Sequence, residues 1–274
     1  MFDLPLITRI ISAVVGIILL GYVINTGGWV FYAAISFLNI CALYELRSAF
    51  SKKNIHIRFF LNSALAVVLF YCASFKNFDF ILTYLFAILL LMFEFLYNII
   101  VSNENHLKDM VFSVFSFLYT SFLFMSIILV RNISLELKLT WWIFITTWAC
   151  DTGAFFSGMI IGKTALAPAV SPNKTIEGSL GGILSSVAAS VLYSVYFLPG
   201  INTLHAILFG ICIGVVAQIG DLSASFIKRY CQIKDFSNII PGHGGILDRL
   251  DSALFSFPVA YIFIKLLLQK GGLL

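Results

Sequence analysis

The chain has 274 residues, of which 60% are hydrophobic and only 11% charged, and its mean hydropathy is +0.99. A soluble domain carries about 25% charged residues, so this composition leaves too few polar groups to cover a water-facing globule. The bilayer is the expected solvent, and with a formal charge of only +4 no nucleic-acid partner is expected.

Nine apolar runs follow one another, at 7–24, 29–46, 59–75, 78–100, 110–130, 139–160, 179–197, 204–226 and 252–268. Runs of about 20 apolar residues cross the hydrocarbon as helices. The expected fold is therefore all-α, a polytopic integral membrane protein with about nine transmembrane helices. The first run has no small-residue cleavage site and is read as a retained anchor rather than a signal peptide. The third and fourth runs are separated only by "KNFD". Five cysteines are scattered without CxxC or Cys/His spacing, which fits small packing residues rather than a zinc site or a disulfide framework.

Charge placement gives an orientation. With the N-terminus in the cytoplasm, Arg9, Arg47, Lys52, Lys53, Arg58, Lys108, Lys163, Lys174, Lys228, Arg229, Lys234 and Arg249 lie inside, against Lys76, Arg131, Lys138, Lys265 and Lys270 outside. Twelve against five is a positive-inside bias, and the basic inner loops would also attract anionic headgroups of membrane lipids.

The two halves differ. Residues 1–138 are aliphatic and aromatic spans that bring almost no acid into the apolar runs apart from Glu45 and Glu94, and they are expected to pack and face lipid. Residues 139–274 carry three polar islands within the same membrane-embedded unit: "TTWACDTGAFFSG", "GKTALAPAVSPNKTIEGSLGG", and the stretch from "QIGDLSASFIKRY" to "KDFSNIIPGHGGILDRLD".

The first island holds Asp151, and a carboxylate inside a membrane span suggests a functional site or a buried ion pair. In the second, Lys174 can neutralise a phosphate, and Glu177 can pair with Lys174 or favour the N-terminus of the seventh span. In the third, Gln218, Asp221, Ser225 and Lys228 share one helical face. Asp221 there snorkels into water, pairs with Lys228 or holds a cation. Asp248 and Asp251, three apart, face the same way and repel unless a cation or base lies between them. The glycines of "PGHGG" allow positive φ and close approach of a ligand to backbone amides, while His243 binds phosphate, moves a proton or is merely solvated. Acids, bases and a glycine loop brought to one side of a membrane are what phosphoryl chemistry needs.

At these residues the sequence resembles the phosphatidate cytidylyltransferase (CDP-diacylglycerol synthase) family. Its signature is matched by Ser225, Lys228-Arg229, Lys234-Asp235, Pro241-Gly242-His243-Gly244-Gly245 and Asp248-Arg249-x-Asp251. "DTGAFFSG", "SPNKTIEGSLGG" and "ITRIISAVVG" also look like motifs of the family, whereas residues 50–138 match in hydropathy alone, and Asn173 stands where lysine is common. The resemblance implies transfer of a cytidylyl group from CTP to phosphatidic acid, with Mg2+, a second cation left open, and a homodimer in the cell (inner) membrane whose active site is near the cytoplasmic face. It implies Asp221 and Asp248 as metal ligands supported by Asp251 and Asp151. Lys174, Lys228, Arg229 and Arg249 would then hold phosphates, with Ser225, Lys234 and the Gly242–Gly245 loop on the substrate side. A relative acting with CTP on another lipid, of the CDP-archaeol synthase or polyprenol kinase type, is the nearest rival; an ion or solute transporter using Asp151 and Asp221 is the alternative of a different class.

Overall fold

A computed structural model describes residues 4–75, 80–101, 106–133 and 136–269. The chain is helical in each place where the hydropathy rises: α1 (Leu4–Thr26), α2 (Gly28–Ser51), α3 (Phe59–Ala73), α4 (Phe80–Val101), α5 (His106–Phe117), α6 (Leu123–Arg131), α7 (Glu136–Ile161), α8 (Ile176–Phe197), α9 (Thr203–Tyr230) and α10 (Leu247–Phe263). A π-helical turn, Leu118–Phe122, joins α5 to α6, so the two form one span.

Among the described residues, six helices are long and apolar enough to cross a bilayer, against the nine expected. The apolar part of α1 (Ile11–Thr26) and α3 are shorter, and α10 opens on the charged sequence Asp248-Arg249-x-Asp251. The break "KNFD" (76–79) and Lys270 lie outside the described residues.

Among the described residues, the connection between α7 and α8 holds a two-stranded sheet. Ala165–Ala167 (β1) and Ser171–Thr175 (β2) form an antiparallel hairpin. Pro168 and Pro172 explain it, because proline breaks a helix interior and favours extended backbone before it. The hairpin ends on Thr175, whose hydroxyl caps α8 by accepting from the Gly178 N–H at 3.1 Å.

The described residues divide into two compact units. The first comprises Met1–Asn132 with Cys231–Arg249. Its buried acid Glu94 is matched rather than exposed: it pairs with the Arg58 guanidinium and accepts from Ser113 Oγ at 2.6 Å, while Asn62 Nδ2 donates to the Ser113 carbonyl at 2.9 Å. A carboxylate so placed needs such partners, and Glu94 therefore reads as structural.

The second unit comprises Ile133–Tyr230 and Leu250–Leu274. Its α7 and α8 pack almost backbone to backbone. A side chain at Gly153 would overlap Ser185, and one at Gly181 would overlap Ser157. Each helix thus contributes a small pair four residues apart, Gly153/Ser157 against Gly181/Ser185. Lipid supplies no hydrophobic drive between helices, so close contact through small residues is how such spans associate. Next to this seam, Ser186 and Ser190 of α8 donate to the Gly210 and Ala206 carbonyls of α9 at 2.7 and 2.6 Å. Trp142 stacks on Phe209 at 3.8 Å and donates to the Ser190 carbonyl.

Candidate active site

The close α7–α8 seam leaves a pocket of about 540 Å³ in the second unit, closed by the hairpin and by α9. Asp151, Ser171, Asn173, Lys174, Gln218 and Asp221 supply its polar side, and Phe155, Met159 and Leu166 its apolar side. Within it Lys174 Nζ lies 2.5 Å from Asp221 Oδ2. Asp221 therefore pairs with Lys174 of the hairpin. Gln218, one turn before Asp221, is held by the Gly214 and Ser179 carbonyls at 3.0 and 3.1 Å. Asp151 accepts from Ser252 Oγ of α10 at 3.1 Å. A pocket with one polar and one apolar side can take a ligand with a charged head and an apolar body.

Glu177 does not pair with Lys174. It accepts from the Lys163 and Thr164 N–H groups, both at 3.1 Å, and from Thr164 Oγ1 at 3.0 Å. Its work is to fasten the start of the hairpin to the first turn of α8, which leaves Lys174 for Asp221. Glu177→Ala is expected to loosen the hairpin and lower activity about tenfold with the helices intact, a loss readable as faster proteolytic cutting between residues 162 and 175.

The remaining expected residues fall in two groups. Ser225 and Lys228 lie half-buried on α9 beyond the pocket, and Arg229 is exposed and donates to the Val170 carbonyl of the hairpin at 3.2 Å. Asp251 is close enough to Asp221, Asp151 and Lys228 to interact electrostatically, and Gly220 makes room for the Asp251 backbone, since a Cβ there would meet its carbonyl oxygen.

The glycine loop belongs to the first unit and is described there. Gly242 and Gly244 have φ of +76° and +85°, which only glycine adopts without strain. They close a tight turn in which Ile240 N–H donates to the Gly244 carbonyl at 2.9 Å. His243 Nδ1 lies 2.7 Å from Ser12 Oγ of α1. Asp248 is buried, and its Oδ2 accepts from the Phe236 and Gly245 N–H groups at 2.8 and 3.0 Å. Lys234 and Arg249 are exposed.

Two side chains of this arrangement were not singled out from sequence. Ser252, which orients Asp151, carries no signal of its own. Glu45 does, being a lone carboxylate in an apolar run. It is fully buried and accepts from Ser237 Oγ at 2.6 Å and from the Ile246 and Leu247 N–H groups, both at 2.8 Å.

Among the described residues, no cluster of three or more His, Cys, Asp and Glu side chains forms a ready-made metal cage. Magnesium does not require one, because it binds through one or two carboxylates and completes its shell with waters and substrate phosphate oxygens. Asp151 and Asp221 line one pocket with hard oxygen donors, so the residues present fit such an ion, provided Lys174 yields an Asp221 oxygen.

Comparison with known proteins adds an independent finding. Residues 7–267 match the cytidylyltransferase family. A phosphatidate cytidylyltransferase of Bacillus subtilis is 36% identical over 184 residues, 66% of this chain and 67% of the relative. One from Staphylococcus haemolyticus is 36% identical over 168 residues, 61% of this chain and 64% of the relative. One from Synechocystis is 42% identical over 138 residues, 50% and 47% of the two chains. The matched segments thus span from about half to about two thirds of the lengths of these relatives.

Proposed function

Since the chain belongs to the cytidylyltransferase family, we infer that it transfers the cytidylyl group of CTP to phosphatidic acid, giving CDP-diacylglycerol and pyrophosphate. The observation that carries this reading is the pocket in which Lys174 and Asp221 meet beside Asp151, at the edge of membrane spans. The names of the relatives, each a phosphatidate cytidylyltransferase, supply the substrates.

The lipid phosphate oxygen attacks the α-phosphorus of CTP in line with the departing pyrophosphate. A phosphate monoester has its second pKa at about 6, so it arrives largely ionised and no protein base is needed to create the nucleophile. The work left to the protein is positioning and charge neutralisation. Lys174 meets phosphate oxygens as a point charge, with Lys228, Arg229 and Arg249 gathering the rest of the triphosphate and the lipid phosphate. Asp221 and Asp248 would hold Mg2+, with Asp251 and Asp151 in support. The ion supplies Lewis-acid neutralisation of the phosphate charge that builds in the transition state. In the resting pocket Lys174 keeps the Asp221 carboxylate paired, which lowers the cost of a charge at a membrane edge. Incoming phosphates give Lys174 a second anionic partner.

The acyl chains remain in the bilayer while CTP arrives from water, so the site lies at the boundary. The positive-inside bias puts that boundary on the cytoplasmic side of a multi-pass cell-membrane protein. The working species is a homodimer in this reading, which light scattering in detergent checks. The reading is tested by offering the purified protein CTP and Mg2+ with either phosphatidic acid or a polyprenol. Pyrophosphate is expected with phosphatidic acid alone; release of CDP and formation of a polyprenol phosphate would make the protein a lipid kinase instead.

A further inference from the structure

We infer that Glu45, in the middle of the N-terminal half, is the positioning residue that sets the start of α10 and with it the direction of Asp248 and Arg249. The inference rests on the reading above that the "HGGILDRLD" segment serves cytidylyl transfer.

The first N–H groups of a helix have no partner within it. At the start of α10 and just before it, two carboxylates take the amides. Asp248 reaches back to the Gly245 N–H, and Glu45 takes the next two, at Ile246 and Leu247, one with each oxygen. Glu45 also accepts from Ser237, on the far side of the glycine loop, so one side chain ties both ends of residues 237–247 to α2. Hydrogen bonds from N–H groups to a carboxylate are about twice as strong as neutral ones, and a negative charge at a helix N-terminus is favourable. Because Glu45 is fully buried, these bonds are not diluted by water.

The same contact explains the last glycine of the signature. Gly245 has no left-handed φ to demand it, but a Cβ there would run into the Glu45 carboxylate at both Oε1 and Cδ. Glycine is needed at 245 because Glu45 is at 45, some two hundred residues away in the chain. A residue acting through another in this way typically alters activity by about 10- to 100-fold.

The test uses Glu45→Gln, Gly245→Ala and the double variant in the full-length purified protein. Glu45→Gln keeps size and one acceptor and loses the other. The Ile246 and Leu247 amides should exchange with deuterium at least tenfold faster than in the parent, with α7–α9 protected as before. At the same time kcat should fall about 10- to 100-fold, the KM for phosphatidic acid should hold, and half-saturation should need more Mg2+. Gly245→Ala should cost a similar factor, and the double variant should be no worse than the poorer single one, because both changes break one contact. Parental amide exchange in Glu45→Gln, parental kcat, or single effects that multiply in the double variant would each overturn the assignment. An inactive parent would refute the reading of function and leave the amide exchange to decide whether Glu45 anchors the turn.

Discussion

Asp221→Asn is expected to lower CDP-diacylglycerol formation about a thousandfold while the protein stays folded. Removing one preorganised group that faces developing charge costs about 10²–10³ in kcat in well-studied enzymes. Asp221 stands at the upper end for two reasons. Its carboxylate is one of the two that line the pocket, so asparagine halves the anionic donor set available to a divalent ion. It is also the partner of Lys174 at 2.5 Å, and a neutral amide leaves that ammonium, half-buried, without its counter-charge. The amide oxygen still accepts a hydrogen bond from Lys174, which is why the fold survives. Lys174→Met should lose about a hundredfold, and the double variant should lose far less than the product, since the two groups form one contact. Turnover and thermal midpoint measured on the same preparations check this; near-parental turnover by Asp221→Asn with an unchanged midpoint removes Asp221 from the site.

The largest effect on stability is expected at the α7–α8 seam. Gly181→Val places a branched side chain where Ser157 already sits, and the neighbouring Gly153 carbonyl closes the other side. Overpacking costs about 1–3 kcal/mol where the structure can relax. Here relaxation means separating two helices that frame the pocket, so a loss of about 3 kcal/mol or more is expected. Leu180→Val, one residue away and 58% exposed, serves as the control and should change the midpoint little. Thermal unfolding in detergent reads both. A Gly181→Val protein as stable as the parent would show that the seam is not close-packed.

The hydropathy of the chain carries the helices well: the runs at 139–160, 179–197 and 204–226 correspond to α7, α8 and α9 within a few residues. It carries less about length and number, since α1 and α3 are short by the measure of a bilayer. The pocket was partly legible. Helical spacing put Gln218 and Asp221 on one face, and both line it, but Ser225 and Lys228 on the same face do not. Spacing reports the direction of a side chain along one helix and says nothing of where the next element covers it. The pairing of Asp221 with Lys174 needs the hairpin, and the hairpin depends on two prolines in a loop whose turn the helical pattern does not describe. Glu45 marks the limit most clearly. Its place in an apolar run is visible in the sequence, but its partners at 237, 246 and 247 are tertiary, and no local period encodes them.

The proposed reaction moves the α-phosphate of CTP, with its cytidine, onto phosphatidic acid. It is tested most directly with purified protein, Mg2+, phosphatidic acid and CTP labelled at either the α- or the γ-phosphate. α-Label is expected in the lipid phase and γ-label in pyrophosphate, one to one, with both lost on chelation of the metal. Label from the γ-phosphate in the lipid, or no labelled lipid from folded protein, would contradict it.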